Sequence, residues 1–223
     1  MNTREFLKVL PAIVFSPFLF KEFLAKKNHL IVLGSAATRI IANQGSDLKV
    51  DSITFINDSE PENLAIPYKF ISYCPPESAY MLLGGRKFLK NEPFPEIMLS
   101  EAFIKHLNKL KGKLIVFAAL GSYTGTTHFQ AMSKYVIKKG MEAKFVFSLP
   151  FEFEGSKRMK DAKLCSDFSG NLCDLQIFPH ERIRKLYGNL CIRSAYAKAD
   201  IEMMRMISKI LELDKVYLNK YHI

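Results

Sequence analysis

Nearly half of the 223 residues are hydrophobic and no stretch is low in complexity, so the chain can build a substantial core and is neither disordered nor fibrous. A formal charge of +10 predicts attraction to anions. The basic residues are scattered outside modest clusters at Lys26-Lys27, Lys138-Lys139 and Arg182 to Lys185, which describes a solvated basic surface rather than a nucleic-acid groove. Cys74, Cys165, Cys173 and Cys191 have no CxxC pair and no flanking His at ligand spacing; this argues against zinc and for reduced, mostly buried thiols of a cytoplasmic protein.

In chain order, residues 1–28 come first: Thr3-Arg-Glu-Phe-Leu-Lys8 followed by the apolar Val9 to Phe20, the outline of a targeting signal. Pro11 and Pro17 interrupt the run, Lys21, Glu22 and Lys26 follow closely, and about twelve apolar residues are too few to cross a bilayer. The segment reads as an amphipathic stretch that packs on the domain or on a partner, with membrane contact or a targeting role as the alternatives. His29 to Leu33 is an apolar strand that runs into Gly34-Ser-Ala-Ala37 and a helix through Asn43. That turn is either a phosphate cradle involving Gly34 and Ser35 or an ordinary βα connection.

Asp51 to Asp58 predicts a second strand and Tyr68 to Ser72 a short third, within the proline-punctuated stretch Pro61 to Glu77. Gly84-Gly85 marks a turn, and Ile97 to Leu110 carries apolar residues at helical spacing. Leu114 to Leu120 is a buried-strand run ending at Gly121. Small and hydroxyl residues, Ser122, Thr124, Gly125 and Thr126 among them, continue to Thr127, and Phe129, Met132, Val136 and Ile137 then recur at helical spacing. Strand, tight loop and helix together aim unpaired N–H groups and the positive end of a helix dipole at one point, which favours a phosphate. Ala143 to Leu149 and Asp174 to Pro179 are further strands, and Ile201, Met204, Ile207, Ile210 and Leu211 form the apolar stripe of a long buried helix. Alternating strands and helices define an α/β domain, Rossmann-like and three-layered, around a mostly parallel sheet.

Two stretches resemble the tubulin/FtsZ superfamily. Ala119-Leu-Gly-Ser-Tyr-Thr-Gly-Thr-Thr127 is similar to the signature loop GGGTGTG, and Pro150-Phe-Glu-Phe-Glu-Gly-Ser-Lys-Arg-Met-Lys-Asp-Ala162 matches PFxFEGxxRMxxA at every fixed position. The likeness runs from about Leu30 to Leu213 and implies an FtsZ-like GTP-binding domain over residues 29–213. It assigns ribose contact to Glu154 and a phosphate or base contact to Arg158. Phe178-Pro-His-Glu-Arg-Ile183 resembles IPNDRL, with His180 in place of Asn, and Ala195-Tyr-Ala-Lys-Ala-Asp200 resembles AFxxAN/D. In that correspondence Tyr196 stacks on guanine, and Asp200 accepts from its N1–H and exocyclic amine. Asn57-Asp58-Ser59 resembles the NTD after the second strand, and Leu82 to Lys87 a third phosphate loop.

Departures from the pattern matter as much. Ala36, Arg39 and Thr127 depart from it, and Tyr123 stands where the family brings backbone close to phosphate, an expected obstruction. Arg39 either makes a charge-assisted ligand contact or fills the site itself. Only Asp214 to Ile223 follow Leu213, a tail without the catalytic NxDxAD loop or second domain of FtsZ, so no catalytic residue is assigned. The expected function is a guanine-nucleotide switch or accessory factor binding GTP or GDP, with Mg²⁺ accompanying GTP, and at most a very slow GTPase. It would work with a protein partner or as a homo-oligomer. The alternative is a pseudo-GTPase interaction module in a membrane-associated or cell-division complex.

Overall fold

The computed structural model describes residues 27–45, 48–62, 64, 66–74, 94–170, 172 and 174–220, with residues 213–220 described by backbone alone. Most of the segment 1–28, the Leu82 to Lys87 turn and Cys173 lie outside the described residues. The apolar runs form six strands: β1 (Asn28–Leu33), β2 (Ser52–Asn57), β3 (Tyr68–Ser72), β4 (Lys113–Ala119), β5 (Ala143–Leu149) and β6 (Leu175–Pro179). All pairings are parallel, in the order β3-β2-β1-β4-β5-β6. The helices are α1 (Ser35–Gln44), α2 (Glu101–Leu107), α3 (Tyr123–Lys139), α4 (Ser156–Ser169), α5 (Glu181–Tyr187) and α6 (Ile192–Lys220), with a 3₁₀ turn at Glu152–Glu154.

Successive strand residues point to opposite faces, and the central strands are apolar on both. Leu30, Val32, Ile115 and Phe117 pack with Ile40 and Ile41 of α1 and with Ala199, Met203 and Ile207 of α6. Ile31, Leu33, Val116 and Ala118 pack with Phe103 of α2, Phe129 and Met132 of α3, and Cys165 of α4. Three layers result, as the α/β pattern predicts. The helix after β1 lies on one face and the helix after β4 on the other. These strands are neighbours, so a crevice opens beyond their carboxyl ends where the winding reverses.

Element ends differ from the sequence reading in three places. Helix α2 starts at Glu101 rather than near Ile97, because the Ser100 hydroxyl accepts from the Phe103 amide at 3.3 Å and caps it there. Helix α3 begins at Tyr123, inside the stretch read as loop. There Thr127 Oγ1 donates to the Tyr123 carbonyl at 2.8 Å, so hydroxyl residues that favour loops are bonded back into the first turn. Helix α6 continues to Lys220 instead of ending at Leu213. Among the described cysteines, Cys165 is buried but Cys74 and Cys191 are exposed, against the expectation of mostly buried thiols.

Candidate functional site

A cleft of about 320 Å³ lies at the winding reversal, and its lining includes Ser35, Arg39, Ser122, Glu154, Arg158 and Tyr196. Its floor is two helix starts. Gly34 precedes α1 and Ser122 precedes α3; neither helix has a side-chain cap hydrogen bond or an acidic residue in its first turn. Their positive poles are therefore left for an outside anion. The two starts touch backbone to backbone, since a Cβ on Gly34 would sit 2.8 Å from the Gly125 amide nitrogen. Gly34 also has φ 83°, a conformation that favours glycine.

The signature loop is braced internally. Gly121, at φ 91°, donates its N–H to Thr126 Oγ1 at 2.9 Å. Ser122 Oγ donates to the Ala119 carbonyl at 3.3 Å. Thr124, Thr126 and Thr127 are buried, and His128, under the same turn, takes Nδ1 to within 3.0 Å of the Thr124 carbonyl. Burial lowers the His128 ring to about 4, against the Thr124 contact, so it is neutral near pH 7. On the α1 side, Ser35 Oγ donates to Asn57 Oδ1 at 3.0 Å, and Asn57 Nδ2 donates to the Ser59 carbonyl at 3.0 Å. The Asn57-Asp58-Ser59 motif thus positions the first loop rather than lining the cleft.

Tyr123 is a correction. Its ring is 7 % exposed, does not line the cleft, and meets Phe94 edge-on with centroids 5.4 Å apart. Helix α3 starts at Tyr123 itself, and the turn aims the side chain into the packing beneath, so no obstruction results.

Glu154 is held from two sides: Oε1 accepts from the Phe151 amide at 2.8 Å and Oε2 from Arg158 Nη1 at 2.8 Å. Burial pushes its carboxyl up, but the His180 ring, the Phe151 amide and the Arg158 guanidinium outweigh this and hold it at about 2. His180 Nδ1 stands 3.7 Å from Glu154 Oε1, too far for a hydrogen bond, and both ring nitrogens are buried without a partner. Ser148 Oγ, at the end of β5 in the same lining, is likewise buried without a partner. Two orphaned polar groups in one cleft fit a polar ligand.

At the outer end the half-buried Tyr196 presents its ring, with Phe151 and Phe153 edge-on to it at 5.4 and 6.0 Å. Burial and the nearby Glu154 carboxylate raise its phenol to about 12. Asp200, one helical turn on, is 6 % exposed and its Oδ1 accepts from Arg39 Nη2 at 3.2 Å. Burial raises the Asp200 carboxyl, against the opposing influence of the Arg39 guanidinium. The Arg39 guanidinium lies 6.0 Å from the Tyr196 ring centre.

Of the residues singled out by sequence, Ser35, Ser122, Glu154, Arg158, His180 and Tyr196 line the cleft. Gly34, Gly121, Thr124, Gly125 and Thr126 build the wall behind it, and Asp200 faces it through Arg39. Ser148 was missed; a polar residue near the carboxyl end of an apolar strand beside the reversal is the signal that could have found it. Among the described residues no group of three or more His, Cys, Asp or Glu is placed to hold a metal ion.

No family model matches the chain, and no curated protein matches it in sequence. Solved structures do match in fold. An empty FtsZ dimer from M. jannaschii is 18% identical with a TM-score of 0.64, covering 90% of this chain and 60% of that one. A mutant of the same FtsZ gives 20%, 0.66, 88% and 60%. CetZ2 from Haloferax volcanii, a GTPγS-bound protofilament, is 14% identical with a TM-score of 0.58, covering 83% of this chain and 58% of its own. The chain therefore has the tubulin/FtsZ GTPase-domain fold, and it spans about 60% of the length of the FtsZ structures it matches.

Proposed function

We propose that the cleft binds a guanine nucleotide, GTP or GDP, and that the protein works as a nucleotide-dependent switch or accessory factor in the cytoplasm, turning over GTP very slowly at most. The observation that carries this is the meeting of two uncapped helix starts at Gly34 and Gly125, in a cleft that also holds Glu154, Arg158 and Tyr196. Phosphates would lie on the amides of α1 and α3 with Arg158 alongside, and the sugar hydroxyls would lie against Glu154 and the unpartnered His180. The base would stack on Tyr196 and take Asp200 by displacing Arg39. Mg²⁺ accompanying GTP would be held mainly by phosphate oxygens and water, as that ion prefers. CetZ2 carries GTPγS in a protofilament and M. jannaschii FtsZ forms a dimer, which supports self-association as the means of action.

The test is titration of the purified protein with labelled GTP and GDP. Saturable binding is expected, and none at about millimolar nucleotide, near roughly −4 kcal/mol, overturns the proposal. A second reading, a pseudo-GTPase serving as an interaction module, is favoured by one observation. The charged groups that would meet a nucleotide already satisfy each other, Glu154 with Arg158 and Asp200 with Arg39. In that case the titration stays flat while the protein still self-associates or captures a partner.

A further inference from the structure

The opposite end of the sheet, where the strands begin, carries a different chemistry. Lys27 precedes β1, Lys49 precedes β2, Lys69 is the second residue of β3, and Lys109 and Lys111 connect α2 to β4; all five side chains are exposed. None of the five forms an ion pair among the described residues. They are near one another: the Lys113 amide donates to the Lys27 carbonyl at 2.8 Å, and Lys69 and Lys109 both act on the His106 ring. Acids also stand at this end: Asp51 is engaged in accepting the Asn28 amide at 2.7 Å, and Glu142 and Asp174 precede β5 and β6, away from the five lysines along the strand order. Exposed Lys138 and Lys139 continue the positive surface at the carboxyl end of α3.

The face is fixed rather than a set of loose loops. His29 Nδ1 lies 2.7 Å from Ser52 Oγ and its Nε2 lies 3.1 Å from the Lys111 carbonyl, which joins β1, β2 and the loop before β4. His106 Nε2 lies 2.8 Å from Thr54 Oγ1 and ties the end of α2 to the sheet. Burial, and then Lys69, His29 and Lys109, keep the His106 ring below its ordinary value.

We propose that this lysine face docks on an anionic lipid surface, leaving the cleft at the far end of the strands open to its ligand. Lysines act as point charges, no arginine fork stands among the five, and the end of a sheet offers no groove to track a nucleic-acid strand. In the sequence, the apolar run Val9 to Phe20 precedes Lys27, the first of these lysines. A basic patch, in a chain that also carries an apolar segment, supplies the two kinds of signal that stable attachment to a bilayer requires.

The test is cosedimentation of the full chain with phosphatidylcholine vesicles, with and without about 30 mol% phosphatidylglycerol, at low and high salt. Binding is expected only to the anionic vesicles and is weakened by salt. Neutralising Lys69→Gln, Lys109→Gln and Lys111→Gln together lowers the partition coefficient by about a hundredfold, or about fivefold for each lysine. Arg184→Gln with Arg205→Gln, two exposed charges elsewhere, changes it by less than about twofold. If the triple variant does not fold by circular dichroism, the single neutralisations read out the same fivefold steps. Unchanged binding by the lysine variants overturns the proposal, and so does equal binding to neutral vesicles. Salt-sensitive binding to duplex DNA without binding to vesicles overturns it in favour of nucleic acid. Nucleotide titration does not enter the readout, so this result and that of the cleft stand or fall separately.

Discussion

The two ends of the sheet handle charge in opposite ways. At the carboxyl ends, Glu154, Asp200 and His180 are each less than a tenth exposed, and the two carboxylates are matched by Arg158 and Arg39. At the amino ends, five exposed lysines stand together with no ion pair among the described residues. A buried charge left single costs several kcal/mol, while exposed like charges repel by tenths. The cleft is therefore where geometry is demanding, and the lysine end is where charge can accumulate almost without cost to folding.

The largest expected contrast is steric. Gly34→Val puts a Cβ onto the Gly125 backbone at positive φ and is expected to destabilise by about 3 kcal/mol or more in urea denaturation. Gly140→Ala is the comparison at the lysine end: φ is 62° there, nothing lies within 4 Å of a Cβ, and the cost is about 1 kcal/mol. Equal losses at the two glycines would erase the contrast.

Acid comes next. His128 falls to about 4 in the fold, so between its ordinary value and about 4 the unfolded chain binds the extra proton. Stability is full above that window and declines as pH drops through it, by up to about 3 kcal/mol. Glu154 is held at about 2, so its contribution is present above the ordinary carboxylate value and is lost as pH falls towards about 2. Allowing for the half-exposed Arg158, that loss is on the order of 2 kcal/mol. Denaturation midpoints measured against pH should show two successive declines, with the first missing in His128→Gln.

Arg39→Ala removes a half-exposed partner from Asp200, whose carboxyl burial already inclines to take up a proton, and should cost about 1 kcal/mol of stability. It should also raise affinity for guanine nucleotide by about tenfold, because the base no longer displaces a guanidinium. Lower affinity in isothermal titration would mean that Arg39 aids binding instead. The smallest effect lies at the other end: Lys69→Gln should stabilise by roughly 0.3 kcal/mol at low salt, and the gain should vanish at high salt.

The strands were legible because parallel, doubly covered strands are near-continuous apolar runs, as in Ile115 to Ala118 and Phe145 to Phe147. Tyr68–Ser72 and Ala143–Leu149 fall on the residues expected. Gly34 and Gly121 stood out as glycines at strand ends, and both adopt positive φ. The direction of Tyr123 was not legible, since it depends on the turn at which α3 begins. The Arg39–Asp200 pair, 161 positions apart, depends on the packing of α1 against α6 and leaves no local trace. Ser148 was hidden by its apolar neighbours, which mark a strand without saying which polar atom ends up alone.

The hydroxyl of Thr126 already holds the Gly121 amide, so the loop keeps its shape when empty. A receptor braced in advance has little refolding to do on capture, and one of its amides is spoken for before any guest arrives. Association should then run close to the rate of productive encounter. Preference for one nucleotide over another would have to reside in how slowly each departs.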